Sequence, residues 1–200
     1  MGESANVAEP FAMPTRPNQR VRYKRVMDAT IQLAAEGGYD GVQMRSVAER
    51  SGVALATVYS YFQSRDNLVL RATMLWSRDI VYQAYEPASA PDGPELEADV
   101  IRLLKLHADH PSLLDAFVRA GLTRDPHAMQ ARREISAEWW VGRGPNFHVL
   151  GPEIAKLAPR ILNDAFYAGA VRWAFGEITL DDVAERVRTV VRMLVRASSA

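Results

Sequence analysis

The side chains best suited to recognition chemistry lie between Gln43 and Arg65. Thr57, Tyr59, Ser60 and Tyr61 place four hydroxyls within five positions, and Gln43, Arg45 and Arg65 flank them. Hydroxyl, amide and guanidinium groups are those that hydrogen-bond phosphate oxygens and, in a groove, base edges. Just before the hydroxyls come Ala54, Leu55 and Ala56. Short apolar residues let a backbone approach a groove, where thymine methyls are good partners for them.

Other chemistries find little support. The chain has no cysteine, which removes disulfides, Cys-based zinc sites and thiol nucleophiles. His107 and His110 stand three apart on one expected helix, a weak pattern for a metal with no further ligand beside it. Ser, His and Asp occur with nothing that places them as a triad, and no Gly-rich loop follows a strand. Catalysis, a metal and a cofactor are therefore not expected.

The elements that must position these groups read as helices throughout. Asn18 is the expected N-cap of a first helix to about Glu36, with Val26, Ala29, Thr30, Leu33 and Ala34 on one buried face. Gly37 and Gly38 end it, and Tyr39 is expected to turn inward. A second helix fits Met44 to Arg50, broken by Ser51 and Gly52, and a third fits Leu55 to Ser60. A fourth is capped by Ser64 and runs to about Tyr85, with Asp66 in its first turn. Two helices around a tight turn place the second in a DNA major groove while the first lies across it. In that reading Arg20 and Arg22, in the cluster that also holds Lys24 and Arg25, reach phosphates or an adjacent minor groove. The competing reading makes them an ordinary solvated helix start. Tyr59 and Tyr61 have burial in a small core as their competing role, and Phe62 reads as core.

After a Pro/Ala/Ser/Gly-rich loop at 86–94, helices are expected at 95–109, 111–121 and 126–141. Gly142 to Pro152 must be irregular, and a long helix covers 153–175, kinked or started by Pro159. Thr179 with Asp182 forms a capping pair for the last helix, which runs to about Arg196. The expected fold is all-α with about nine helices. Its parts are a disordered arm (1–17), a helix-turn-helix DNA-binding unit (18–63), and a ligand-binding and dimerisation unit (64–200).

Charge follows the same division. The whole chain is neutral, with 24 Lys/Arg and 24 Asp/Glu, yet residues 11–75 carry nine basic groups against five acidic ones. A basic third beside a mildly acidic remainder suits a phosphate-facing module joined to something that leaves DNA alone. No apolar run approaches the ~18 residues of a membrane span, and the N-terminus lacks a signal pattern. No membrane partner and a cytoplasmic location are expected.

Aromatics concentrate in the second half. Trp76, His107, Phe117, Trp139, Trp140, Phe166 and Trp173 are the candidate liners of an apolar effector cavity, with simple core packing as the alternative. Arg119, Arg143 or His107 could meet an acidic ligand. Small residues on the penultimate helix (Ile161, Ala165, Ala168, Gly169, Arg172) and Val187, Val191 and Leu194 on the last are the candidate dimer interface. A hairpin closing its own core fits that pattern equally well.

The run GYDGVQMRSVAERSGVALATVYSYFQSRDNL is similar to the DNA-binding module of TetR-family transcriptional regulators, all-helical homodimers with a C-terminal ligand-binding domain. The resemblance spans about Arg20 to Arg71. Within the family the same wording most resembles actinobacterial repressors of sterol and cholesterol catabolism, the KstR-type branch, which respond to CoA thioesters of sterol-derived acids. By position, the resemblance assigns Gln43 and Arg45 to phosphates, Ala54 to Thr57 to the opening of the recognition helix, and Tyr59, Tyr61 and Arg65 to the DNA backbone. The chain departs from many relatives at Ala56 (Gly there), Ser60 (Arg or His) and Arg65 (Lys), so grip at Ser60 should be weaker. The function implied is a repressor that binds a double-stranded, pseudo-palindromic operator as a homodimer. It would be released by a small apolar effector such as an acyl-CoA, fatty acid or sterol derivative, through a hinge at the fourth helix. A drug-sensing repressor is one alternative, needing acids such as Asp115, Glu138 and Asp164 at the cavity. A helical binding protein or enzyme with a purely structural helix-turn-helix is the other.

Overall fold

The computed structural model describes residues 14–84, 96–136 and 147–198. Among these residues there is no strand. Nine α-helices follow one another: α1 (Pro17–Gly41), α2 (Met44–Ser51), α3 (Leu55–Phe62), α4 (Arg65–Ala84), α5 (Leu96–Ala108), α6 (Pro111–Gly121), α7 (Pro126–Ser136), α8 (Pro152–Ala174) and α9 (Leu180–Ser198). The expected all-α architecture is what the chain adopts. Most of the expected arm and the loop at 86–94 lie outside the described residues.

Helix α1 starts slightly earlier than its sequence suggests. Arg16, not Asn18, is the N-cap, and Pro17 takes the first turn, where its missing N–H removes no helical bond. Val26, Ala29, Thr30, Leu33 and Ala34 are all buried, joined by Tyr23 and Met27. Thr30 is tolerated there because its hydroxyl donates to the Val26 carbonyl at 2.8 Å. Helical geometry fails at Gly37 and Gly38, the latter at φ 60°, ψ −153°, a region essentially restricted to glycine. The chain then makes one further turn to Gly41.

Gly52 closes α2 in the left-handed conformation, its N–H shared between the carbonyls of Ala48 and Glu49. Helix α3 follows two residues later and extends to Phe62, past the expected end at Ser60. Ser64 caps α4 as expected, accepting the Asn67 N–H at 3.1 Å. At the far end Thr179 and Asp182 cap α9 reciprocally. The Thr179 hydroxyl oxygen accepts the Asp182 N–H at 3.1 Å, and an Asp182 carboxylate oxygen accepts the Thr179 N–H at 2.8 Å. Pro159 neither starts nor ends α8, which runs continuously from Pro152 with the proline inside it.

Helix α6 is the hub: it packs against α1, α4, α5, α7 and α8. The contact with α1 gives a second connection beside α4, where the hinge is expected. Helices α8 and α9 form a close-packed hairpin, with α5 laid against α9. There Glu97 receives the guanidinium of Arg192 through two bonds of 2.9 Å.

Candidate nucleic-acid interface

Only Val58 and Phe62 of α3 are buried. They anchor the helix on Tyr23 and the apolar residues of α1 and α2. With a helical period of 3.6, fixing those two turns the opposite face outward. Ala54, Leu55, Ala56 and Ser60 are exposed, Tyr59 is 46% exposed, and Thr57 is half-buried. Ser60 donates its hydroxyl to the Thr57 carbonyl at 2.8 Å, so its oxygen lone pairs are what it presents. Gln43, at the N-cap of α2, donates its side-chain amide to the Asp40 carbonyl at 3.2 Å, and Arg45 beside it is exposed. Arg20 and Arg22 lie exposed on the first turns of α1.

Two of the expected contact residues also make contacts within the protein. Tyr61 is half-buried, its ring edge-on to Tyr23 at 5.9 Å and to Phe62 at 6.1 Å. Its ring therefore packs on the small core beside Phe62 while the residue stays partly exposed. Arg65 is not a free cation: its guanidinium lies 4.2 Å over the Tyr39 ring, an attraction to the ring's negative face. Another basic residue, Arg25, reaches the α2–α3 turn so closely that a Cβ on Gly52 would stand 2.5 Å from its Nη2. The basic cluster around Arg20 was its only sequence signal.

The α3–α4 junction is tight. Ser64 N–H bonds the Phe62 carbonyl at 2.6 Å, and Gln63 between them has φ 57°, the one non-glycine positive φ among the described residues. Buried Asn67 secures it by donating to the Phe62 carbonyl at 2.7 Å while accepting the Arg71 Nε–H at 2.8 Å. These bonds fix the angle at which α3 leaves the body.

An open-sided cavity of about 470 Å³ lies among α5, α6, α8 and α9, with exposed Lys105, Asp181, Asp182 and Glu185 along its rim. Ile101, Leu104, Leu114, Phe166 and Val183 form its apolar wall, and Lys105, Asp181 and Arg188 stand among its polar residues. Of the expected liners among the described residues, Phe166 alone is in this wall. His107 is buried behind it, 6.0 Å ring to ring, with Nδ1–H on the Leu103 carbonyl at 2.8 Å and Nε2 accepting from Ser77. Both ring nitrogens are thereby occupied, and burial holds its pKa below the ordinary 6.5. Trp76 stacks edge-on against His107 at 5.5 Å, and Phe117 meets Tyr167 at 6.1 Å. Trp173 packs half-buried on the core. Trp139, Trp140, Arg143 and Glu138 lie outside the described residues. Arg119 faces away from this cavity toward Asp40, Asp115 contacts α1, and Asp164 is exposed on α8.

The interface candidates divide. Ile161, Ala168 and Arg172 are exposed on α8, while Ala165 and Leu194 pack half-buried on their own core. Gly169, Val187 and Val191 turn inward: a Cβ on Gly169 would stand 2.9 Å from Val183 Cγ1. Those three serve the hairpin and are unavailable to a second copy. Leu157 shares the outward face of α8 with Ile161, Ala168 and exposed Asp164, and Phe175, the C-cap residue, is exposed too.

A short helix anchored by two buried residues, its outer face hydroxyl-bearing and its flanks basic, defines a helix-turn-helix DNA-binding protein. The family described as bacterial regulatory proteins, tetR family, matches residues 26–72. The chain is 30% identical over 192 residues to the HTH-type transcriptional repressor KstR of Mycolicibacterium smegmatis, covering 88% of each chain. It is 29% identical over 178 residues to KstR of Rhodococcus jostii, covering 88% of this chain and 84% of that one. Its fold is similar to a TetR transcriptional regulator from Rhodococcus sp. RHA1, with a TM-score of 0.65 at 23% identity, covering 88% of this chain and 97% of that one. The chain belongs to the TetR family. It is a KstR-like transcriptional repressor and not an enzyme. No helix among the described residues is long and apolar enough to cross a membrane.

Proposed function

We propose that the protein binds a pseudo-palindromic operator as a homodimer in the cytoplasm and releases it when an apolar effector enters the α5–α9 side of the molecule. The outward set Leu55, Ala56, Tyr59 and Ser60 on α3, held by inward Val58 and Phe62, carries the DNA reading. Residues 18–63 form the reading unit and 64–200 the effector and dimerisation unit. Two α3 helices would enter successive major grooves about 34 Å apart. The exposed apolar face of α8 supports pairing of two copies, and the apolar wall of the cavity supports an effector such as an acyl-CoA, fatty acid or sterol derivative. KstR-like relatives are named repressors, which favours release over recruitment. Asp115 and Asp164 do not line the described cavity and Glu138 lies outside the described residues; Asp181, Asp182 and Glu185 stand beside Lys105 and Arg188 there, so the lining charges favour neither a cationic nor an anionic effector.

Selection of duplexes from a random pool, followed by titration at several salt concentrations, tests this. A binding constant falling steeply with salt, with a log–log slope of about −0.9 per phosphate contacted, is the expected result. Salt-independent or absent binding overturns it. Acyl, steroid and cationic compounds screened by thermal shift identify the effector class.

A further inference from the structure

Helix α6 touches both ends of the proposed mechanism through adjacent residues. Leu114 is part of the cavity wall. Asp115, the next residue, accepts the backbone N–H of Tyr39 through Oδ2 at 3.2 Å. One turn on, Arg119 holds both carboxylate oxygens of Asp40, at 2.7 and 3.1 Å. A carboxylate from α6 thus caps the turn that leaves Gly38, and the fit has no slack. A Cβ on Gly38 would stand 2.8 Å from Asp115 Oδ2 and 3.7 Å from the Ser112 carbonyl. Tyr39 and Asp40 lead directly through Val42, fully buried, into Gln43 and α2.

We infer that Asp115 and Arg119 are positioning residues for DNA binding, holding the Gly38–Asp40 turn so that α2 and α3 keep their docking angle, and that filling the cavity moves them. A helix is stiff along its axis, so a displacement at Leu114 is a displacement at Asp115. A packed interface answers such a shift by changing state, not by stretching. This rests on the proposed effector reading and adds its route, which runs through α6 and the end of α1 in addition to α4.

The test uses the full chain and a duplex selected by the unmodified protein. Ala108→Phe, from the α5 side, fills the cavity in place of an effector, and Ile101→Phe does the same if the first fails to fold. In the unmodified background, filling is expected to weaken duplex binding about 10-fold, within the usual 5–150-fold range of coupling. It should also speed hydrogen exchange at the Tyr39 amide. In an Asp115→Ala background the same filling should change affinity less than 2-fold. Asp115→Asn, which keeps a carbonyl acceptor for Tyr39, should restore the response. Equal weakening with and without Asp115 overturns the route, as does a filled cavity that leaves affinity unchanged. The function itself fails separately, if no salt-dependent duplex binding is found. A compound that releases duplex from both backgrounds keeps the function and sinks only the route.

Discussion

Tyr39 and Thr123 share one carboxylate. The Tyr39 hydroxyl donates to Asp66 Oδ1 at 2.5 Å, and the Thr123 hydroxyl donates to Asp66 Oδ2, also at 2.5 Å. The end of α1, the first turn of α4 and the α6–α7 connection meet at this point. Burial, and then the bond to Asp66, raise the Tyr39 pKa above its ordinary 10, so the phenol stays a donor at any physiological pH. Tyr39→Phe removes the donor while keeping the ring that Arg65 and Arg119 cover. A hydrogen bond to a charged group contributes roughly 1.5–3 kcal/mol. Urea unfolding should register a loss of about that size, and an unchanged midpoint would refute the role.

The recognition helix separates binding from folding. Tyr59 is 46% exposed and Val58 is fully buried. Tyr59→Ala should weaken duplex binding by 10-fold or more with a melting temperature within about a degree of the unmodified chain. Val58→Ala should destabilise by about 2 kcal/mol through lost burial and the space left behind. Binding that survives Tyr59→Ala unchanged would rule out the role proposed for Tyr59.

What could be read from the chain beforehand was local. The period of α1, the glycine between α2 and α3, and the Thr179–Asp182 pair are all encoded within a few residues of one another, and each took the expected form. The contacts that join the parts are remote: Asp66 to Thr123, Asp40 to Arg119 and Ser64 to Asp125 are separated by 57, 79 and 61 positions. Nothing local announces such partners. Arg65 illustrates the point: its type suggests a phosphate contact, and nothing near it in sequence announces the Tyr39 ring, 26 residues upstream, on which its guanidinium lies. Gly169 shows the second limit, because a small residue permits close approach without saying which helix approaches.

Gly169 therefore offers a third prediction. Its missing side chain is the space that Val183 Cγ1 and Cγ2 occupy, 2.9 and 3.3 Å from where a Cβ would stand. Gly169→Val should destabilise by about 1–3 kcal/mol through overpacking. Combining Gly169→Ala with Val183→Ala should give a cycle in which the second change partly offsets the first. Strict additivity in calorimetry would show that the two residues do not meet.

His107 gives the pH dependence its sign. Burial, partly opposed by the bond to the Leu103 carbonyl, lowers its pKa from 6.5. The unfolded chain thus takes up a proton first as pH falls. The stability held in the neutral ring is complete above about pH 6.5 and declines as pH drops below it, toward the folded value. The carboxylates Glu36, Asp40 and Asp182 are also held low by Arg50, Arg119 and Thr179, but they act in a more acidic window, below the ordinary carboxylate range. Unfolding free energy should fall between pH 7 and 5 with a slope of up to ~1.4 kcal/mol per pH unit for this one proton. His107→Gln should flatten it. An identical slope in the variant would assign the effect elsewhere.

The outward face of α8 carries the last prediction. Leu157, Ile161 and Ala168 recur at spacings of four and seven, so they line one side of the helix with exposed Asp164 among them, and Phe175 at its C-cap is 68% exposed. A stripe of this kind left in water is unfavourable, and pairing two copies about a two-fold axis would bury it against itself. Ile161→Asp places two desolvated carboxylates in that pairing while touching nothing inside the protomer, where Ile161 is already 41% exposed. Sedimentation should then report a monomer with an unchanged helical spectrum. Affinity for a two-half-site duplex should collapse toward that for a single half-site, because the second contact ceases to be intramolecular. A variant that remains dimeric would place the interface on another face, and a variant that unfolds would show that the stripe belongs to the protomer's own core.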